Sequence, residues 1–289
     1  MNNFFIRDGR ILALVGLLAL AGCSKLVSSA TNSFAGSLSA GILNQNDLQT
    51  VRDGAPAYLL LVDGFISDNP DNEALLLAGA DLYGSYAGAF VDDEDRAKRL
   101  SDRARQYALR ALCVRNQTLC DAMSLPFEAF ETALENASDA DDLEALFGFG
   151  AAWATWIQIN SGDWNAIAEI PKVEAVMRRV TDINPAFRDG WPFLYLGVVT
   201  SQLPPAYGGK PDDAKANFQQ ALDASKRRNL MVQVLFASEY ARLVFDQPLH
   251  DELLQEVLSA DPDEPGLTLI NTLAQQRAEQ LLEQSAEYF

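Results

Sequence analysis

The sequence predicts an all-α protein built from antiparallel helical hairpins, and three observations predict it. Beyond the N-terminal apolar run, no segment sustains period-two alternation, whereas apolar residues recur at helical spacing in segment after segment. Pro70, Pro126, Pro185, Pro211, Pro248 and Pro265 each precede or open one of those segments, where a missing N–H costs nothing and φ is already helical. Together these place helices near 44–67, 71–90, 94–116, 126–136, 140–160, 165–183, 185–201, 211–225, 229–245, 248–259 and 265–285.

Before the first helix, Arg7 and Arg10 precede an apolar run from Ile11 to Leu20 that is too short to span a bilayer, which takes about 20 residues. Leu20-Ala21-Gly22-Cys23 then reads as a lipoprotein cleavage box: small residues for cleavage and a thiol to carry lipid. The expected organisation is a signal peptide over 1–22, a lipidated Cys23 with a Ser/Thr/Ala/Gly-rich tether over 23–43, and one helical-repeat domain over 44–289. By the sorting rule of Gram-negative lipoproteins, Ser24 rather than Asp after the lipidated cysteine implies the periplasmic face of the outer membrane as the expected location. The formal net charge of −18 repels phosphate backbones and argues against polybasic attachment to anionic lipid, so no nucleic-acid partner is expected and membrane attachment falls to the lipid. With Cys23 so used, Cys113 and Cys120 remain as an even pair in an oxidising compartment, and a disulfide between them is expected.

In the helix after Pro70, Gly79, Tyr83, Tyr86 and Phe90 form one stripe, with Ala80, Gly84 and Ala87 beside it. Its partner from Asp95 presents Ala97, Ala104, Ala108 and Ala111, so large residues on one helix meet small ones on the next. The helix from Ala140 holds Phe149, Trp153 and Trp156 on one face. Two readings follow: core packing, or an apolar cavity lined by Phe149, Trp153, Trp156, Trp191, Phe193 and Tyr207, to which Trp164 and Tyr195 are candidates to contribute.

The segment 184–225 is the clearest hairpin. Asn184 as N-cap and Pro185 open its first helix, Pro204 and Pro205 stop it near Ser201, Gly208 and Gly209 supply the turn, and Pro211-Asp212-Asp213 opens the second. Phe193, Leu196 and Gly197 followed by Ala214, Phe218 and Ala221 reproduce the small and large positions by which tetratricopeptide helices interlock, with a connection longer than that repeat uses. Several such hairpins in succession would stack into a tetratricopeptide-like array, an α-solenoid.

Motifs for chemistry are sparse. Gly208-Gly209-Lys210 lacks the Ser or Thr and the preceding strand of a phosphate loop. The single histidine, His250, lies between Asp246 and Asp251 at a helix start, which suits a hydrogen bond to a neighbouring acid better than a catalytic triad or a metal site. Asp92, Asp93, Glu94 and Asp95 read as a solvated helix start without the ligand spacing of a calcium loop. No catalytic residue, metal or cofactor is expected.

The corner LPPAYGGKP with Ala214, Phe218 and Ala221, the stretches NLMVQVLFASEYARLVFD (229–246) and LTLINTLAQQRAEQLL (267–282), and VRDGAPAYLLLVDG (51–64) resemble the T component associated with TRAP transporters, a family of periplasmic helical lipoproteins. The resemblance implies a non-enzymatic accessory scaffold, lipid-anchored, that docks a periplasmic substrate-binding protein and holds or passes a small apolar ligand; a homo-oligomer is compatible with it. Asn271 and Arg277 fall in the C-terminal signature and are expected to tie the last helix to the preceding hairpins. Two other classes stay open: an envelope-assembly scaffold on the same repeats, or a hydrolase using two of the many carboxylates.

Overall fold

The computed structural model describes residues 40–137, 139–202 and 209–289. The chain divides into two units, residues 1–42 and residues 43–289, and the larger carries every helix from Leu48 onward. Cys23 lies outside the described residues. All regular structure among the described residues is helical. The long elements are α1 (Leu48–Asp68), α2 (Glu73–Phe90), α3 (Glu94–Arg115), α4 (Phe127–Glu135), α5 (Leu143–Ile159), α6 (Ile170–Ile183), α7 (Trp191–Thr200), α8 (Pro211–Ala224), α9 (Leu230–Leu235, continued as a π-helix over Phe236–Ala241), α10 (Gln247–Ser259) and α11 (Thr268–Glu283).

Polar residues start several of these helices by taking up the unpaired N–H groups of the first turn. Asp47 accepts from the N–H of Gln49 and Thr50, Asn72 from Leu75, Asp93 from Arg96 and Asp246 from Leu249. The acidic run 92–95 is thus a helix cap. Pro56 sits inside α1, where it cannot donate to the carbonyl of Arg52 one turn back. Tyr86 of α2 supplies the missing donor, its hydroxyl lying 3.3 Å from that carbonyl.

Neighbouring helices then approach closely where one of them has no side chain. A Cβ placed on Gly197 of α7 would come 2.9 Å from the ring of Phe218 on α8, the small-to-large fit the sequence predicts, and Phe218 is fully buried. Gly79 of α2 meets Ile66 of α1 and Tyr107 of α3; Gly148 of α5 meets Leu77 of α2. Leu77 opposite Gly148 and Gly88 opposite Thr155 show that α2 and α5 run parallel, with α3 packed against both. Gly150, on the other side of α5, faces Met177 and Val176 of α6 at 2.7 and 2.9 Å, so it belongs to the α5–α6 contact and a larger residue there would overpack the core.

Polar ties reinforce these contacts. Asp63 of α1 accepts from the hydroxyls of Tyr83 (α2) and Tyr107 (α3) and from Arg103 (α3), each at 2.7 Å, so one carboxylate joins three helices. Asn271 of α11 is fully buried; it accepts from Leu230 N–H at 2.9 Å and donates to the carbonyls of Arg228 and Pro262. It ties α11 to the start of α9, as expected, whereas Arg277 does not make such a tie. The N–H of Gly266, before α11, donates to Asn44, before α1, at 2.7 Å, and α11 touches α1, so the last long helix returns to the first. Cys113, near the end of α3, and Cys120 are joined as a disulfide with Cα atoms 4.4 Å apart.

Three expected helices differ, that over 165–183 being broken into a short Trp164–Ile167 turn of helix and Ile170–Ile183. The helix expected from Pro185 begins only at Trp191, because Asn184 accepts from Ala186 N–H in a turn and residues 188–190 are left-handed. The helix expected over 229–245 changes from α to π at Phe236.

The three-helix knot at Asp63 sets a pH dependence. Burial and the hydrogen bond to Asp63 push the Tyr107 hydroxyl up from 10.0 to about 12. A raised folded-state value means the folded chain holds the proton longer, so this contribution is complete below the ordinary value and is lost as pH rises from 10.0 to about 12. Denaturant titrations across that range should show a smaller loss of stability for Tyr107→Phe than for the parent chain.

Candidate functional site

The helices α2, α5 and α7 bring together a group of side chains that is open to water and yet surrounded by protein. Asp81 of α2 is exposed by area, but burial raises its carboxyl, with Arg188 opposing and Glu144 adding to the rise. The two observations agree for a group facing a recess: water reaches it, and the protein around it displaces most of the solvent that would stabilise its charge. Tyr195 of α7 is half-buried, and its hydroxyl is pushed well above its ordinary range, first by burial and then by Asp81. Neither side chain makes a hydrogen bond or an ion pair with a described residue.

Aromatic rings form the wall beside them. Phe147 of α5 meets Tyr195 at 5.8 Å and Phe187 at 5.7 Å, both edge-on, and Trp191 lies 6.5 Å from Tyr195. Arg188 spreads over Phe147 at 4.9 Å and pairs with Glu144 at the start of α5. Its position is set by an unusual backbone: Arg188, Asp189 and Gly190 have φ values of 45°, 49° and 83°, three left-handed residues in a row. Gly190 tolerates this, and nothing larger would fit, since a Cβ there would lie 2.5 Å from that of Ala224. Non-glycine residues held left-handed store about 1 to 2 kcal/mol each. Asp189, 3.7 Å from Arg228, anchors the far side of the loop.

The six rings expected to line one cavity are divided. Phe149 and Trp153 are wholly buried and pack on each other at 4.9 Å, with Phe130 edge-on to Trp153 at 6.0 Å. Neither ring touches solvent, so both are core. Trp156 is half-buried under the guanidinium of Arg105 at 3.7 Å, on the α3 side. Phe193 is buried within α7, Trp191 belongs to the recess, Tyr207 lies outside the described residues, and Trp164 stands 83% exposed on its own short turn. His250 is buried with Nδ1 2.8 Å from Asp251, which also accepts from Ser285. Among the described residues no group of His, Cys, Asp and Glu could hold a metal ion, and no helix is long and apolar enough to cross a membrane.

Asp81 and Arg188 escaped the sequence reading. A signal for Asp81 was present: after Glu73 it is the single charged residue in the otherwise apolar EALLLAGADLYGSYAGAF. Arg188 gave none, because its role comes from a backbone turn that the Asn-Pro helix start concealed.

These are partly exposed aromatic rings beside two polar side chains without partners, set in a protein that is all-helical among the described residues. The sequence profile of the TRAP transporter T-component matches residues 44–289, and the chain belongs to that family. A protein of Treponema pallidum (strain Nichols), described as uncharacterized, is 22% identical over 263 residues, covering 85% of this chain and 81% of its own length. As a T-component, the chain is an accessory to TRAP transport and works with the other transporter components.

Replacing Gly190 tests the loop that positions Arg188. Gly190→Ala should lower unfolding free energy by about 1 to 3 kcal/mol, from strain at positive φ and overlap with Ala224. Urea denaturation measures it.

Proposed function

We propose that this chain is a lipid-anchored, non-enzymatic scaffold on the periplasmic face of the outer membrane, which docks the substrate-binding protein of a TRAP-type uptake system and holds a small apolar ligand. Membership of the T-component family over 44–289 carries the transport reading. The anchor rests on Leu20-Ala21-Gly22-Cys23 after a short apolar run. A tetratricopeptide-like stacking of hairpins is supported by the parallel pair α2 and α5 with α3 against them, and by the fit of Gly197 to Phe218.

The ligand half of the reading rests on the recess formed by Phe147, Trp191 and Tyr195 with Asp81, not on the buried rings of α5. Ligand sites of this kind are mostly apolar with a few convergent polar groups. The lipid would keep the scaffold at the membrane while the ligand-bearing partner diffuses to it, and binding energy rather than a chemical step would do the work.

Two measurements bear on this. Cys23→Ala should abolish palmitate labelling and release the chain from the membrane fraction; unchanged labelling would remove the anchor. Affinity purification of the tagged full-length chain from cell envelopes should recover the TRAP substrate-binding protein, and recovery of cell-wall assembly proteins in its place would favour the envelope scaffold.

A further inference from the structure

A groove opens between α8 and α10, lined by none of the residues of the recess. Its volume is about 460 Å³, against the roughly 30 Å³ that one water takes up in the liquid, so it has room for side chains rather than a lone ion. The helix α9 and its π-helical continuation pack against both α8 and α10, and Phe236 forms the part of the groove between them. Leu222 of α8 and Leu253 of α10 are buried with Phe236, and Leu249 stands half-buried beside them. The lining therefore has an apolar base.

Around that base the charge is one-sided. Asp223 of α8 and Glu252 of α10 are exposed, and neither carboxylate has a hydrogen-bond or ion-pair partner among the described residues. Arg227 is the one cation among the described lining residues, and it is committed to Glu256 of α10. The backbone sends it there: Lys226 and Arg227 are left-handed, with φ of 52° and 58°, and the Arg227 N–H donates back to the Leu222 carbonyl at 2.9 Å. Three carboxylates against one guanidinium leave two negative charges over an apolar base. The cleft where α1, α2 and α3 meet is different: Arg52 and Arg96 both line it among its three aspartates, so its charge is nearly offset within the chain.

We propose that the groove between α8 and α10 is a docking surface on which a protein partner seats a basic side chain, an arginine above all. The aliphatic stem would lie on Leu249, Leu253 and Phe236 while the charged head stays among Asp223 and Glu252, the way long cationic side chains cover apolar surface. The proposal rests on the docking reading above and gives it a place and a chemistry. Arginine is favoured at interfaces because its planar fork matches carboxylates with paired hydrogen bonds. A protein partner covers the groove and excludes water, which strengthens each ion pair, whereas a small cation in the open groove stays solvated and screened. The overall charge of −18 draws a basic partner in, and the groove gives it a register.

The test holds the full lipidated chain in lipid nanodiscs on a surface-plasmon-resonance chip and flows over it the TRAP substrate-binding protein of the same organism. Asp223→Lys with Glu252→Lys should weaken binding by about tenfold or more, chiefly through slower association, and Asp223→Asn with Glu252→Gln should weaken it by a smaller factor. Raising salt from about 50 to about 200 mM should slow association with the parent more than with the neutral pair. Reversing Glu128 and Glu131, exposed carboxylates of α4 that do not line the groove, should change affinity by less than about twofold. An equal loss in that control would mean that only overall charge matters and would overturn the proposal. So would spermidine binding to the parent as tightly as the protein does and losing that affinity in the groove variants, since the occupant would then be a small cation. If the substrate-binding protein binds and both groove variants bind as the parent does, the groove fails while the docking reading stands; if the parent chain does not bind it at all, both fail.

Discussion

The closeness of neighbouring helices at glycine positions is the constraint on which the rest of this structure depends. Gly197 lets the ring of Phe218 reach the backbone of α7, and Phe218 in turn stacks on Phe236 at 5.0 Å, where the α-helical part of α9 gives way to the π-helical part. Gly148 and Gly79 do the same for Leu77, Ile66 and Tyr107 around α2. Each contact puts a large side chain where another helix has none, which fixes both the spacing and the axial register of the pair. Had α1, α2 and α3 met through large residues on every side at Gly79, the polar tie at Asp63 could not have spanned the gap.

The recess arises from the same geometry. Because α2 and α5 run parallel with α3 packed against both, residues on a further face of α2 are free to look toward α7. Asp81 occupies that face, near enough to Tyr195 to raise its hydroxyl, and Phe147 packs edge-on against Tyr195. The left-handed run at Arg188, Asp189 and Gly190 delivers a guanidinium to the rim that a continuous helix would have directed elsewhere. Strain in the loop and a carboxyl raised by its surroundings are two costs at one place, and both are absent from the well-packed contacts around Phe130, Phe149 and Trp153.

Much of this was legible in the chain. Proline and Asp or Asn at helix starts placed most elements within a few residues, because both act locally, through fixed φ and through side-chain acceptors for the first turn. The pairing of Gly197 with Phe218 was legible for the same reason: it is a pattern within one hairpin. Asn271 was correctly read as a tie, since a buried amide needs partners. The aromatic helix was harder, because spacing alone does not say which stripe faces core and which faces water; Phe149 and Trp153 took the inner side, and Trp156 went to the side of Arg105. The late start of α7 was hidden by Asn184 and Pro185, whose helix-starting preference is overruled by the contact of Gly190 with Ala224, a tertiary effect. Arg277 was expected to act as Asn271 does, yet the residues around it offer no partner.

The π-helical turn at Phe236–Ala241 has a meaning for the chain's register. Such a turn behaves as one residue added to an α-helix, and one residue is a rotation of about 100°. Removing a residue there would leave a smoother helix with every backbone bond made, while turning Glu239 and Tyr240 away from the directions they now take and displacing the later residues of the helix. Length, at this point, is itself a specificity element: a shorter protein would be more regular and would present a different face.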